Sequence, residues 1–434
     1  MGGTLTHEQS LWRWRILIST YIGYAGYYLT RKVFTITKTS IAAELGWELA
    51  DTAYIWGAFL IAYMIGQFVN SFVGRKWGPR VILLWGLSIS MACNVVFGVT
   101  NSFYTFIVFM FVNGLVQATG WPGCVGGVSQ WLRAHERGMF MGVWSTSYLV
   151  GNIMVKGVGG WLLGAYGWRW SFAGCTMLTI AVWWLLYWWQ RDKPEDAGLP
   201  PIVEKPSEDG RAIRAAQEDT VTMRQYLEIA LNPLVWVMGC SYFCIKFLRY
   251  ALDSWLPAFL NIQGMDVARA SYYSSIFDYA GLAGAVTAGW LLDRCFRSNW
   301  AALCLLMGIG GVAGYLAVMY LGTDPVMLAL CYGVIGFMVY GPDTLLCGAA
   351  SIAVAGEKNG VAVAGLVNGI GSLGPVVQEL VIGEMVRGDV QAGIAMTNRL
   401  TLTISGLFAI LMLVVVWRLR AAHRNNAHLD ANRS

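Results

Sequence analysis

The sequence has few charged residues for its length. Asp, Glu, Lys and Arg make up 13% of the 434 residues, whereas hydrophobic residues make up 56%. Soluble domains carry about 25% charged residues, so the composition excludes an ordinary soluble protein and indicates repeated membrane crossings. At about 20 apolar residues for each spanning helix, the length suits roughly twelve spans.

The sequence also lacks the patterns of an enzyme or a metal site. It has four histidines, all outside the apolar stretches, and nine cysteines scattered singly without a CxxC pair. No glycine-rich loop with a following lysine cradles a phosphate, and no nucleophile stands beside a base. We therefore expect no enzymatic activity, no cofactor and no metal, and the net charge of +5 requires no nucleic-acid partner.

Apolar stretches predict twelve spans in two sets of six. The first set covers residues 14–37, 52–73, 80–99, 103–131, 138–165 and 170–189. The second set covers residues 233–260, 272–292, 300–321, 325–354, 360–385 and 393–419. A charged, proline-containing stretch divides them, which predicts an N-terminal six-helix half, a cytoplasmic central loop, a C-terminal six-helix half and a cytoplasmic tail, at 1–190, 191–231, 232–420 and 421–434.

Lysine and arginine collect in alternate connections between the spans. The connections with many basic residues carry Arg13 and Arg15; Arg75, Lys76 and Arg80; Arg133 and Arg137; Arg191 to Arg224; Arg294 and Arg297; and Arg418, Arg420 and Arg424. By the positive-inside rule these connections face the cytoplasm. We therefore expect a multi-pass protein of the cell inner (plasma) membrane, embedded in the lipid bilayer with both termini cytoplasmic.

Two adjacent cations, Arg31 and Lys32, lie deep in the first span. A cation at such depth costs about 3 kcal/mol or more, so the pair predicts an anionic partner. Tyr24, Tyr27 and Tyr28 precede Arg31 at helical spacings and share its face. Lys32 points about 100° away from Arg31, so we expect it to pair with a carboxylate or to support the site from behind.

The seventh span repeats this pattern in the second half. Arg249 lies at a depth similar to that of Arg31, as a pseudo-two-fold axis along the membrane normal would require. Tyr242, Lys246, Arg249 and Asp253 follow one helical face. Two helices with such cationic faces can hold one anion between them.

Carboxylates within the spans leave alternatives open. Arg31 could instead pair structurally with Asp278, Asp343 or Glu379 and touch no substrate. Asp253 and Asp278 could release the arginines when a substrate arrives, or could carry a coupled proton. Asp343 and Glu379 could balance the extra cations, or could contact a cationic or hydroxylated part of the substrate.

Several strings, in chain order, resemble one known family. They are GYAGYYLTRK, NGLVQATGWPGC, HERG, RDKPEDAGLPP, LRYALDSW, DYAG with GWLLDR, and GFMVYGP. Over nearly the whole chain they resemble the organophosphate:phosphate antiporters of the major facilitator superfamily, which include glycerol-3-phosphate and hexose-phosphate transporters and a sugar-phosphate sensor. The resemblance implies an all-α integral membrane protein with twelve transmembrane helices in two pseudo-symmetric six-helix halves around a central cavity.

The resemblance also implies a function. Family members exchange a phosphorylated organic anion, such as a sugar phosphate or glycerol phosphate, for inorganic phosphate by rocking between inward-open and outward-open states. Their two phosphate-holding arginines match Arg31 and Arg249, and the planar guanidinium suits paired hydrogen bonds to phosphate oxygens. We expect a monomer, as in the family. The alternatives are a sugar-phosphate receptor that signals to a membrane kinase, and a transporter of a related non-ester anion such as a phosphonate.

Some positions depart from the family pattern. Gln67 stands where the second helix usually has a lysine, with Tyr63 retained one turn earlier. Tyr148 replaces a histidine of the fifth helix, and Lys246 replaces a tyrosine of the seventh. Asp253 is displaced by one position relative to the tryptophan that follows it.

The cation lost from the second helix is thus regained on the seventh. We predict that a phosphate meets three cations, Arg31, Arg249 and Lys246. Neutral donors to the ester or hydroxyl oxygens are predicted at Tyr24, Tyr28, Tyr63, Gln67 and Tyr148.

The loop between the second and third helices also departs from the superfamily pattern. Arg75 stands where an aspartate is usual, whereas the equivalent loop of the second half keeps Asp293 and Arg294. Because that acidic residue helps to lock one conformation, we expect a conformational balance that differs from that of the relatives.

Overall fold

The computed structural model describes residues 6–129, 131–132, 140, 144, 146–200, 202, 228–229, 231–296, 299–321, 324–347 and 349–431. Its side chains are described throughout these residues except at 68, 70–76, 129, 349, 352, 355–362 and 422–431. Within the described chain nearly all residues are helical and none lies in a strand. The prediction of an all-α protein is therefore confirmed.

The helices follow the predicted spans. In the N-terminal part they are α1 His7–Leu45, α2 Leu49–Trp77, α3 Pro79–Val99, α4 Phe103–Gln117, α5 Gly120–Ser129, α6 Ser147–Met154, α7 Gly160–Tyr166 and α8 Trp168–Trp189. In the C-terminal part they are α9 Pro233–Ile262, α10 Val267–Arg294, α11 Trp300–Leu321, α12 Pro325–Cys347, α13 Ala349–Gly371, α14 Leu373–Met385 and α15 Val390–Ala431. A π-helical turn at Val155–Gly159 joins α6 to α7.

Ten helical segments of the described chain are long and apolar enough to cross a membrane. The two other predicted spans correspond to α1 and to the segment from α6 to α7. Helix α1 is 39 residues long, but polar and cationic residues interrupt its apolar stretches. The segment from α6 to α7 follows residues that lie outside the description.

Helix α1 is continuous through Arg31. It begins with a capping box, in which the Thr6 hydroxyl accepts from Gln9 N at 3.2 Å and Gln9 Oε1 accepts from Thr6 N at 3.0 Å. It ends at Gly46, whose φ of 69° is the left-handed conformation that glycine adopts readily. The cation therefore sits on a regular helix with both ends defined by local sequence.

Chain contacts divide the protein into two compact units. The first comprises residues 1–215 with 257–275, and the second comprises residues 216–256 with 276–434. In the first unit, α1 packs against α8 and α2 packs against α4. The α2–α4 crossing is close, because a Cβ added at Gly66 would lie 2.8 Å from the Leu115 carbonyl oxygen.

In the second unit, α11 packs against α12 and α15. Helices α10 and α12 also approach closely, since a Cβ added at Gly281 would lie 2.5 Å from the Tyr340 ring. The Phe277 and Tyr340 rings meet edge to face with centroids 5.4 Å apart. This packing brings Tyr340 beside the middle of α10.

The start of the predicted central loop is fixed to the first unit. Asp192 Oδ1 accepts a hydrogen bond from Arg80 N, 2.7 Å away at the beginning of α3. Leu199 packs in a buried cluster with Ile16 and Trp131. Most of the rest of that loop, residues 203–227, lies outside the described residues.

Candidate functional site

Arg31 is buried in the middle of α1, with 5% of its surface exposed. Its Nε donates to Gln117 Oε1 at 3.2 Å. Its guanidinium carbon lies 4.8 Å from the centre of the Tyr28 ring and 4.6 Å from that of the Tyr63 ring. Aromatic faces and an amide attract a guanidinium without neutralising it. These contacts therefore orient a cation and preserve its charge.

The amide that holds Arg31 is itself fixed by a buried polar network. Gln117 Nε2 donates to Thr30 Oγ1 at 2.8 Å and to Ser90 Oγ at 2.7 Å. The Ser90 hydroxyl donates to Asn113 Oδ1 at 2.6 Å. Sequence reasoning missed this network, although Asn113 and Gln117, one helical turn apart in an apolar span, are the signal that reveals it.

The tyrosines of the predicted face of α1 lie close to one another. The Tyr24 and Tyr28 ring centroids lie 5.8 Å apart, and those of Tyr28 and Tyr148 lie 6.2 Å apart. Three predicted donors thus lie in one cluster beside Arg31. Tyr27 packs in the same buried cluster, and its hydroxyl donates to the Leu83 carbonyl at 2.9 Å.

The remaining predicted groups of the first unit have different surroundings. Lys32 is 2% exposed, and its Nζ lies 5.2 Å from the centre of a Trp56 ring. Gln67 is exposed on α2. A further cation that was not among the predicted site residues, Lys156 in the π-helical turn, is buried and donates to the Ser274 carbonyl at 3.2 Å.

Arg249 forms a salt bridge with a carboxylate. Its Nη1 lies 2.6 Å from Asp343 Oδ2, with the two side chains 13% and 7% exposed. The guanidinium carbon also lies 4.8 Å from the centre of the Tyr340 ring. The other carboxylate oxygen, Asp343 Oδ1, is buried and has no hydrogen-bond partner among the described residues.

Lys246 lies one turn before Arg249 and faces α13 and α14. Its Nζ donates to Asn368 Oδ1 at 2.7 Å and to Ser372 Oγ at 3.2 Å. It also lies 4.9 Å from the centre of the Tyr242 ring. Lys246 and Tyr242 therefore lie side by side on α9.

The other predicted carboxylates are buried in the second unit. Glu379 accepts hydrogen bonds from Ser254 Oγ at 2.8 Å and from Trp255 Nε1 at 3.0 Å. Asp278 accepts one from the Tyr340 hydroxyl at 3.4 Å. Asp253 is 5% exposed on α9.

The predicted conformational loop is described only in its second-half copy. Asp293 and Arg294 are both exposed at the end of α10. The Arg75 side chain and the HERG string lie outside the described residues. Over the described chain, no three His, Cys, Asp or Glu residues are grouped so as to hold a metal.

Each unit thus contains a buried or half-buried arginine flanked by tyrosine rings. Such a group binds an oxyanion through directed, charge-assisted hydrogen bonds. That both arginines contact one anion remains a prediction from the sequence.

Comparisons with known proteins find similar sequences and a similar fold. The Major Facilitator Superfamily matches residues 20–378. A probable hexose phosphate transport protein of Chlamydia pneumoniae is 30% identical over 353 residues, which cover 77% of each chain. Membrane sensor protein UhpC of Escherichia coli is 30% identical over 348 residues, which cover 78% of each chain.

A solved structure shares the fold. The crystal structure of a bacterial homologue of the human lysosomal transporter Spinster, in an inward-facing and unoccupied conformation, matches with a TM-score of 0.76 at 15% identity. The match covers 95% of this chain and 97% of that one. At this identity the likeness concerns the architecture alone, and it confirms the predicted helical arrangement.

Proposed function

Because this chain belongs to the major facilitator superfamily and matches its organophosphate:phosphate antiporter family, we propose that it exchanges a phosphorylated organic anion for inorganic phosphate. The observation that carries the proposal is Arg31. This cation is buried in a membrane-crossing bundle and is oriented by Gln117, Tyr28 and Tyr63. Intramembrane cations mark the paths of anionic substrates.

The proposed exchange follows from the charge of the two arginines. The protein alternates between inward-open and outward-open states, and Arg31 and Arg249 both bind the phosphoryl group. An anion between them offsets the repulsion of like charges, which is strong in a medium of low dielectric constant. The loaded protein therefore changes state more readily than the empty one, and inward and outward movements of anions are coupled.

We further propose a monomer in the cell inner membrane with both termini in the cytoplasm. The placement of lysine and arginine in alternate connections supports this orientation. The two six-helix halves at residues 1–190 and 232–420 are part of the same proposal.

The test is uptake of labelled inorganic phosphate by proteoliposomes preloaded with phosphate. Arg31→Lys and Arg249→Lys are expected to lower exchange about tenfold or more, since each loses hydrogen bonds to a charged group that contribute about 1.5–3 kcal/mol. Lys246→Gln is expected to weaken phosphate binding in the same assay. Lys193→Gln, which removes an exposed cation, is the matched control.

A panel of phosphate esters as competitors then identifies the class of organic substrate. Wild-type exchange that both arginine variants retain would refute the two-arginine site. A protein that binds neither phosphate nor esters would refute the proposed cargo.

A second candidate is a sugar-phosphate receptor that signals to a membrane kinase. It is favoured by the 30% identity to a membrane sensor protein and by Gln67 and Tyr148 at positions where transporters of the family carry a lysine and a histidine. Binding of an ester by the purified protein without measurable flux would favour the receptor. Flux of a phosphonate that phosphate does not compete with would favour a non-ester cargo instead.

A further inference from the structure

Asp343 places a negative charge where the proposed function requires a phosphate to bind. Its Oδ2 lies 2.6 Å from Arg249 Nη1, and both side chains are largely buried. An anion that approaches Arg249 therefore meets a carboxylate at hydrogen-bonding distance from the same guanidinium. Like charges so close in a medium of low dielectric constant repel strongly.

The second oxygen of this carboxylate indicates how the repulsion is avoided. Asp343 Oδ1 is buried, and within the described residues it has no hydrogen-bond donor. A buried acceptor without a donor is unfavourable, so a ligand that brings a donor gains from filling this position. An ionised carboxylate only accepts hydrogen bonds, so the ligand must supply the hydrogen.

A phosphate that carries one proton more than the dianion can accept hydrogen bonds from Arg249 and also donate one to Asp343. Its unprotonated oxygens accept from Arg249, while its P–OH group donates to the carboxylate. The fully ionised form has no hydrogen to offer and leaves two anions in contact.

We propose that Asp343 is a specificity-determining residue that selects the protonated, monoanionic form of the phosphoryl group by accepting a hydrogen bond from its P–OH. The inference rests on the proposed function and refines it by naming the ionic form of the substrate. The proton remains on the phosphate throughout, so no covalent bond forms or breaks.

The charged and titratable groups around Asp343 come from three helices. Helix α9 contributes Arg249 in direct contact, with Lys246 and Tyr242 within electrostatic reach. Helix α12 itself contributes Cys347 and Tyr340.

Helix α10 adds a further carboxylate near this group. Asp278 accepts a hydrogen bond from the Tyr340 hydroxyl, and the Tyr340 ring lies against the Arg249 guanidinium. Helices α13 and α14 present uncharged Asn368 and Ser372 to Lys246.

Sulfate makes the inference testable, because it has the shape of phosphate but no proton at neutral pH. A site built around a hydrogen bond from the ligand rejects an analogue that lacks the hydrogen. Wild-type protein is therefore expected to prefer phosphate over sulfate by about 100-fold or more as a competitor of labelled phosphate. In Asp343→Asn the amide can donate to a sulfate oxygen, and the preference is expected to fall below about tenfold.

The dependence of phosphate binding on pH is a second readout. In wild type the apparent affinity is expected to fall as pH rises, because phosphate loses its monoanionic form through a second ionisation near neutral pH, roughly one unit above the pKa of about 6 of a phosphate ester. In Asp343→Asn this dependence is expected to flatten, and the affinity at alkaline pH is expected to rise.

Two variants serve as controls. Asp343→Glu retains the carboxylate and is expected to keep sulfate excluded. Glu384 on α14 forms an exposed salt bridge with Arg387, which follows that helix. Glu384→Gln removes this negative charge and is expected to match wild type in both readouts. Size-exclusion chromatography of each purified variant checks folding.

The outcomes separate this inference from the proposed function. Equal competition by sulfate and phosphate in wild type would overturn the inference even if no variant folded, and so would an Asn variant that still excludes sulfate. Neither of these two results would refute the proposed exchange of phosphate. If wild type neither binds nor exchanges phosphate, the proposed function itself fails.

Discussion

At the scale of single residues, the two arginines contact groups of different charge. Arg31 contacts the Gln117 amide and two tyrosine rings, all neutral groups. Arg249 contacts the Asp343 carboxylate. We therefore expect Arg31 to attract an anion of any protonation state, whereas the second arginine acts with its carboxylate as a more selective pair.

Gln117→Glu tests the role of this neutral amide. Glutamate has nearly the same shape and would give Arg31 a carboxylate partner, in competition with the substrate. Phosphate affinity is expected to fall about tenfold or more, since a hydrogen bond to a charged group contributes about 1.5–3 kcal/mol. The measurement is equilibrium binding of labelled phosphate to purified protein.

Gln263→Glu, in the connection between α9 and α10, makes the same chemical change away from both arginines and should bind phosphate as wild type does. Unchanged affinity in Gln117→Glu would show that Arg31 does not contact the anion.

At the scale of elements, the start of α3 depends on a residue far away in sequence. Arg80 N, in its first turn, donates to Asp192 Oδ1, which follows α8. Gly78 immediately before the helix has a φ of 78°, and a Cβ there would lie 2.5 Å from Asp192 Oδ2. Glycine is thus required both by backbone conformation and by the close approach of the carboxylate.

Asp192→Ala is expected to lower the free energy of unfolding by about 1 kcal/mol, the usual effect of losing an N-terminal helix cap. Asp192→Asn keeps an acceptor oxygen and should remain close to wild type. Thermal unfolding of the purified variants measures both, and equal melting temperatures for Ala and wild type would exclude a capping role.

The pH dependence of the same variants is a further check. Burial raises the pKa of the Asp192 carboxyl above its usual range, although the hydrogen bond from Arg80 N opposes the shift. A raised pKa in the folded state means that this group stabilises less as pH rises through its titration. The free energy of unfolding of Asp192→Asn relative to that of wild type should therefore increase as pH rises through the titration of the Asp192 carboxyl.

At the scale of the whole molecule, the proposed orientation makes a connection at each face accessible to reagents. Cys295 is exposed next to Arg294, in a connection predicted to be cytoplasmic. Glu48 is exposed in the connection between α1 and α2, which is predicted to face outward. A thiol at either position is exposed to aqueous reagents, whereas Cys240 lies within the α9 span.

A membrane-impermeant maleimide should therefore label Glu48→Cys in intact cells. Cys295 should react only in inside-out vesicles, with Cys295→Ser as the control that identifies the labelled thiol. Reaction of Cys295 in intact cells would mean the opposite orientation and would refute cytoplasmic termini.

The sequence by itself determined the membrane class, the positions of the spans and the face of each cationic helix. Composition and helical periodicity are local properties, so they sufficed to place Arg31 beside Tyr28 and Lys246 beside Arg249. The likeness of short strings to a known family also indicated the phosphate chemistry before any helix was seen.

Only the tertiary structure decided which partner each cation takes. Gln117 and Asp343 are far from Arg31 and Arg249 in sequence, and no periodicity within one helix specifies a contact made across two. The choice depends on how closely helices pack, as where α10 and α12 meet at Gly281. For that reason the sequence left Asp343 among several possible charge partners, whereas the tertiary structure pairs it with Arg249.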